Sequence, residues 1–143
     1  VIKAILFNTA DDINKTGIDY KTGYGLINSY AAVKALQQKN YDGSSLSQNQ
    51  TWAKNITVPA NAAQLKITLA WTDSVAQVNN NKALINDLDI ELTEISSGNT
   101  FKSWVLSAFP NIDSLAKLPL RKRDSLNTAE QISLQLPNAG NYQ

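Results

Sequence analysis

The spacing of hydrophobic residues differs between the first part of the chain and the rest. In residues 1–38 the apolar side chains recur at helical spacing, as Ile2, Ile5 and Leu6 do. A glycine-containing loop leads to a second helical pattern, which Asn28 or Ser29 is suited to cap. We therefore predict two short helices, which by themselves bury too little apolar surface to stay folded.

From about residue 50 the period changes to two, which is typical of β-strands. Leu65, Ile67, Leu69 and Trp71 form the clearest apolar face, and we expect Trp71 to lie in the core. The run Ser96–Asn99 favours a hairpin turn. The predicted strands span residues 52–58, 65–71, 88–95, 100–106 and 131–136, with a short helical stretch within 111–118.

Several short strands separated by turns indicate an antiparallel β-sandwich or jelly roll. The composition of residues 39–49, rich in Asn, Gly, Ser and Gln, indicates a linker. The sequence thus predicts a mostly β protein: two helices within residues 1–38, the linker 39–49, and a β-jelly-roll domain over residues 50–143.

The segment Asn86–Leu92, of sequence NDLDIEL, alternates polar and apolar residues in strict order. As a strand it would place Leu88, Ile90 and Leu92 on the core face and its acidic side chains on the other. Acidic groups on one face repel one another. They could bind a metal ion, act as catalytic carboxylates, or face water.

The residue types that are absent narrow the chemistry. The chain has no histidine and no cysteine, which excludes a self-contained Ser-His-Asp or Cys-His site, a disulfide and a thiolate zinc site. Its 13 basic and 12 acidic residues leave a net charge of +1, so we expect no nucleic-acid partner. No apolar run reaches the ~18 residues of a membrane span. Since methionine is absent and the chain begins within a helical pattern, we expect a piece of a longer protein.

Calcium is the cofactor that these residues favour, because it takes oxygen ligands and needs neither histidine nor cysteine. Its candidate ligands lie where predicted strands begin or end: Asp73, Asn86, Asp87, Asp124 and Glu130. The alternative is that Asp73 and Asn86 cap turns with their own side chains, while Asp89 pairs with a nearby lysine or arginine.

The sequence is compatible with two further kinds of site. Asp87 and Asp89, alternate residues on a strand, would be ~6.5–7 Å apart, within the range of a glycosidase carboxylate pair. Trp52, Trp71 and Trp104 could form a platform on which sugars stack, although buried aromatic residues are far more common than such platforms.

Two sets of motifs resemble one protein family. The run Ala4–Asp12, followed by the turn Tyr24-Gly25-Leu26-Ile27-Asn28 and an alanine-rich helix, resembles the C-terminal end of a subtilisin-like serine protease domain. Four later patterns resemble, in order, a β-jelly-roll domain that follows the catalytic domain in some large secreted subtilases. They are Ala70–Asp73, Asn86–Leu92, Arg123–Glu130 and Leu136–Tyr142.

The resemblance implies that residues 1–38 are the last helices of a catalytic domain and that the parent protein is a secreted or cell-surface serine endopeptidase. The family's nucleophile, histidine and aspartate motifs are all missing here, and Ser29, Asp11 and Asp12 match none of them. The chain would therefore have no catalytic residue. It would brace the protease domain, its partner in the same polypeptide, and could help to bind protein substrates.

Two expectations follow from the resemblance. The family's closing strand would continue beyond Tyr142, so we expect it to be incomplete here. Without a catalytic domain, Ile2, Ile5, Leu6 and Val33 should be exposed, or covered by the β domain or by another copy. The alternative function is a jelly-roll module that binds a glycan or cell-surface polymer.

Overall fold

The computed structural model describes residues 1–13 and 16–143, and begins with two short helices. Helix α1 spans Ile2–Thr9 and α2 spans Ser29–Gln37. The Asn28 side chain accepts a hydrogen bond from the Ala31 N–H at 2.9 Å, so the predicted cap is confirmed. Between the helices, the backbones of Asp11 and Leu26 exchange two hydrogen bonds of 2.9 Å, which close the connecting loop.

In the remainder of the chain, the regular elements are mainly short strands. The strands are β1 (Ile56–Val58), β2 (Gln64–Ala70), β3 (Glu91–Thr93), β4 (Thr100–Lys102), β5 (Trp104–Val105), β6 (Leu120–Arg121), β7 (Ala129–Gln135) and β8 (Gly140–Tyr142), and a short helix, α3 (Ile112–Leu115), precedes β6. All strand pairs are antiparallel: β1 with β8, β2 with β7, β3 with β4, and β5 with β6. The predicted mostly β, antiparallel fold is confirmed, while closure into a jelly roll stays a prediction.

The prediction for the NDLDIEL segment was too long. Of this segment, only Glu91 and Leu92 join a strand, β3, which continues to Thr93 and pairs with the β4 arm of the predicted hairpin. Residues 86–90 lie outside the strands, as do residues 52–55 before β1. The physical reason is that residues 86–90 have no neighbouring strand to complete a ladder of backbone hydrogen bonds within the described part of the chain.

The core lies between β1, β3, β7 and β8. Its buried centre consists of Val58, Leu92, Ile132 and Tyr142. Ile90 packs against this centre, as do Ile67 and Phe101. The predicted core role of Ile90 and Leu92 is thus confirmed, and Leu88 is half-buried. Trp71 is also only half-buried and lies outside the cluster, where its indole N–H donates to the Asn86 carbonyl at 3.0 Å.

A polar seam joins the helices to β2 and β7. The Lys66 ammonium donates to the Ala10 carbonyl at 2.9 Å and pairs with Asp12 at 3.4 Å. The Thr68 hydroxyl donates to the Asn8 side chain at 2.9 Å. The Gln131 amide, fully buried, donates to the Phe7 carbonyl at 3.1 Å and to Thr68 at 2.9 Å. Because buried polar groups require hydrogen-bond partners, these bonds are needed to hold the helical part on the strands.

Docking on the strands changes the exposure expected for the helices. Ile5 is buried and Leu6 is half-buried, because α1 lies against β2. Cover by the β domain was one of the predicted outcomes for these residues. Ile2 and Val33 are exposed as predicted. Residues 39–55 are exposed and contain neither helix nor strand. In the described residues, no helix has the length and apolar character needed to cross a bilayer.

Candidate functional site

The Asp73 carboxylate clamps the loop that leads into the NDLDIEL segment. It accepts hydrogen bonds from the backbone N–H groups of Ile85 (2.7 Å) and Asn86 (3.0 Å), and from the Asn86 side-chain amide (2.7 Å). Desolvation acts to raise the pKa of Asp73, but these bonds and one from the Ser74 N–H outweigh it and lower the pKa. Asp73 and Asn86 therefore meet, as the calcium hypothesis requires, but they bond to each other as a loop clamp.

The next two acids along the segment form ion pairs. Asp87 pairs with Lys82 at 3.1 Å. Asp89 pairs with Arg123, whose Nε lies 2.9 Å from both carboxylate oxygens. The hydrogen bond and charge of Asp89 raise the pKa of Arg123. The predicted pairing of Asp89 with a basic residue is confirmed.

A second group of polar residues precedes β7. The buried Asp124 carboxylate accepts hydrogen bonds from the backbone of Leu126 (2.9 Å) and from the side chain of Asn127 (2.7 Å). This is the geometry of a turn held by its own aspartate. Turn chemistry, one of the alternatives for these acids, thus accounts for Asp124.

Glu130, the second residue of β7, is the exception, because it is buried without a matching charge. Its side chain is 1% exposed, and Oε2 accepts a hydrogen bond from the Ile90 N–H at 2.9 Å. Oε1 has no hydrogen-bond partner among the described residues. Burial raises the pKa of Glu130 to about 7, and the neighbouring charges of Asp89 and Asp124 add to this, against the hydrogen bond from the Ile90 N–H.

Tyr24, in the loop between α1 and α2, lies near Asp124 and Glu130. Burial, then Asp124 and Glu130, raise the pKa of its hydroxyl to about 12, and the hydroxyl donates to the Ala129 carbonyl at 3.3 Å. From the sequence, Glu130 was a candidate metal ligand only, and Tyr24 was not a candidate site residue. The period-two pattern of β7 could have shown the burial of Glu130, because it shares a face with the core residue Ile132.

The structure gives the five calcium candidates different surroundings. Asp73 and Asn86 form the loop clamp, Asp87 an ion pair, and Asp124 a turn, while Glu130 has a buried oxygen without a hydrogen-bond partner among the described residues. Within residues 1–13 and 16–143, no three acidic side chains come together in an arrangement that could hold a metal ion. Calcium therefore stays a prediction, without geometry that favours it.

The carboxylate-pair hypothesis gains no support either. Asp89 lines a shallow surface recess of about 280 Å³ together with Lys102, Lys122 and Arg123. Because Asp89 is bound by Arg123 and Asp87 by Lys82, both carboxylates are held as structural ion pairs.

The three tryptophans have separate roles. The guanidinium of Arg121 lies 3.9 Å from the centroid of the Trp104 ring, and the Trp104 N–H donates to the Ser133 hydroxyl at 2.8 Å. Arg121 also donates to the Ser133 carbonyl at 2.6 Å. Trp104 is thus packed between protein groups, and Trp52 alone is strongly exposed. The contact between Arg121 and Trp104 had no signal in the sequence, since it depends on the pairing of β5 with β6.

Compared with known protein families and with curated proteins, the chain matches none of them.

Proposed function

We propose that the chain is the C-terminal part of a secreted subtilisin-like serine endopeptidase, in which it braces the catalytic domain and supplies no catalytic group. The motif order described above is the sequence basis of this proposal. The structural observation that carries it is an apolar stripe along α2 and the turn before it, formed by Ile27, Tyr30 and Val33, which are 52% to 77% exposed.

The spacing of the stripe makes it a surface that needs a partner. Tyr30 and Val33, three residues apart, lie on one side of α2, and Ile27 lies in the turn just before the helix. Val1, the N-cap of α1, and Ile2 are exposed as well. A contiguous exposed apolar surface of this kind is typical of a protein interface, and a catalytic domain in the same polypeptide would cover it.

The helical part is also attached to the strands, and this attachment is the basis of the proposed bracing role. Lys66, Thr68 and Gln131 hold α1 and the residues after it on the strands, through the polar seam. Helices of eight and nine residues are too short to be stable alone. They would thus be held from two sides, by the strands through the seam and by the catalytic domain through the stripe.

The proposal predicts that the chain alone hydrolyses no protein. A casein-type substrate incubated with the purified chain should stay intact, and cleavage that a serine-directed inhibitor abolishes would contradict the proposal. The coding sequence upstream of Val1 gives a second test, because a Gly-Thr-Ser-Met-Ala motif should precede the first helix by roughly ten to thirty residues. An upstream sequence without this motif would reject the family.

The stripe can be tested in the same chain. Val33→Glu should lower the fluorescence of a bound apolar dye and raise solubility, because it places a charge in the apolar surface. Lys34→Glu, at an adjacent residue that is exposed but outside the stripe, is the matched control and should leave dye binding unchanged. Equal dye binding by the parent chain and both variants would show that the stripe is not an apolar surface.

A glycan-binding module is the second candidate, and exposed Trp52 is the observation in its favour. The indole N–H groups of Trp71 and Trp104 are both bonded to protein acceptors, which leaves Trp52 as the one strongly exposed ring of the three. Binding on a glycan array that Trp52→Ala abolishes would favour this function over bracing.

A further inference from the structure

The loop between β5 and β6, with the first residue of β6, presents large apolar side chains to water. Four of them are 62% to 83% exposed: Phe109, Ile112, Leu118 and Leu120. The backbone of this loop is held in place, because Ser114 and Pro119 are buried and the N–H groups of Leu115 and Ala116 donate to carbonyls one turn back at 3.0 Å. The four side chains therefore protrude from a fixed loop.

Two lysines lie among these apolar side chains. Lys117 and Lys122 line a recess of about 430 Å³ together with Leu118 and Leu120, so the four residues are neighbours in space. Among the described residues, neither ammonium group forms a salt bridge, and residues 109–122 contain a single acid, Asp113. The four apolar side chains and the two lysines together form the β5–β6 surface, which combines exposed apolar groups with unpaired positive charge.

We propose that the β5–β6 surface docks on an anionic lipid bilayer. The apolar side chains enter the region between the headgroups and the acyl chains, and the two lysines contact the headgroups. Exposed apolar groups beside basic ones are typical of proteins that bind to such a membrane surface without crossing it. The bracing function does not require this property, so the docking stands or fails independently of the protease relationship.

The charge of the β5–β6 surface favours a bilayer over a second copy of the chain. The exposed apolar stripe of a second copy lies on α2, which has no acidic residue and carries Lys34, so that contact would bring lysines together. Two β5–β6 surfaces facing each other would do the same. An acidic protein would need a cavity for each protruding side chain, whereas a bilayer deforms around them and carries many negative charges.

A second exposed apolar loop provides a comparison within the same chain. Val75 and Val78 are 97% and 90% exposed, but residues 74–81 contain no basic residue. Attraction between a lysine and anionic lipid falls off within about 10 Å at 0.1 M salt, so only apolar groups close to cations benefit from it. We therefore expect this loop to stay in water when the β5–β6 surface docks.

Single cysteines can report the docking, because the chain has no cysteine of its own. Ile112→Cys and the control Val75→Cys are each labelled with an environment-sensitive fluorophore and mixed with vesicles of phosphatidylcholine, with or without about one third phosphatidylserine. The emission of the label at position 112 should shift to the blue on the anionic vesicles only, and that of the label at position 75 should not shift. No shift at position 112, or an equal shift at both positions, would overturn the proposal.

Cosedimentation of the unlabelled full chain with the same vesicles tests the role of charge. Lys117→Gln combined with Lys122→Gln should weaken partitioning onto anionic vesicles roughly 25-fold, about fivefold for each lysine. Val33→Glu, on the α2 stripe, is the matched control and should bind like the parent chain. The proposal is overturned if the lysine variant binds like the parent or if Val33→Glu abolishes binding. A response of the label at position 112 to soluble polyglutamate but not to vesicles would also overturn it, and would indicate an acidic protein partner.

Discussion

Replacing Glu130 by glutamine should stabilise the folded chain above pH 5, and the size of the effect follows from the structure. The glutamate is buried, and its pKa rises from 4.5 in the unfolded chain to about 7 in the fold. Between these values the folded state binds more protons than the unfolded state, so the free energy of unfolding falls as the pH increases. From pH 5 to pH 8 this amounts to at most about 2–3 kcal/mol.

Urea denaturation followed by tryptophan fluorescence can measure this change. At an m-value of about 1.5 kcal/mol/M, the midpoint for the parent chain should fall by ~1.5 M urea between pH 5 and pH 8. The midpoint for Glu130→Gln should hardly move. The chain suits this experiment because it contains no histidine, the side chain that ordinarily titrates in this range.

The control is Glu91→Gln, which removes the same charge from an exposed position. It should reproduce the parent's pH dependence. The reasoning is refuted if the parent chain is equally stable at pH 5 and pH 8, or if Glu130→Gln loses stability with pH as the parent does. Either result would mean that the fold does not keep the Glu130 carboxyl neutral.

Three further predictions concern the loop, the arginine stack and the metal. Gly25→Ala should lower the free energy of unfolding by about 3 kcal/mol or more, since φ is 109° and a Cβ would lie 2.2 Å from the Asp11 carbonyl oxygen. Gly23→Ala should cost only about 1 kcal/mol, because a Cβ added there would meet no atom within 4 Å apart from its chain neighbours. Thermal denaturation of the two variants measures both effects. Arg121→Lys should cost about 1–2 kcal/mol in urea denaturation and change the Trp104 emission, because lysine cannot both stack on the ring and donate to the carbonyls of Lys102 and Ser133. Saturating chelator should leave the melting temperature unchanged, because the Asp73 and Asp124 carboxylates are already hydrogen-bonded; a fall of several degrees would support a bound calcium ion.

Local sequence signals were sufficient for several elements. The Asn28 cap lies next to the helix it begins, so its hydrogen bond involves only the Ala31 N–H three residues on. Likewise, the β3–β4 hairpin needs only a turn between two adjacent strand patterns, and Ser96–Asn99 provides it. The change from helical to strand periodicity also marks where the mostly β part begins.

Tertiary structure decided the length of the NDLDIEL strand and the state of its neighbours. Alternation identified the faces of this segment correctly, yet a strand also needs a partner for its backbone groups, and the chain supplies one only from Glu91 onward. The environment of Glu130 similarly depends on Asp89, Asp124 and Tyr24, which come from three different parts of the sequence. The sequence alone therefore determined the periodicity, the caps and the turns, because these depend on neighbouring residues. Burial, ion pairing and the protonation of Glu130 were decided by the fold, because only folding brings distant groups together and removes water from between them.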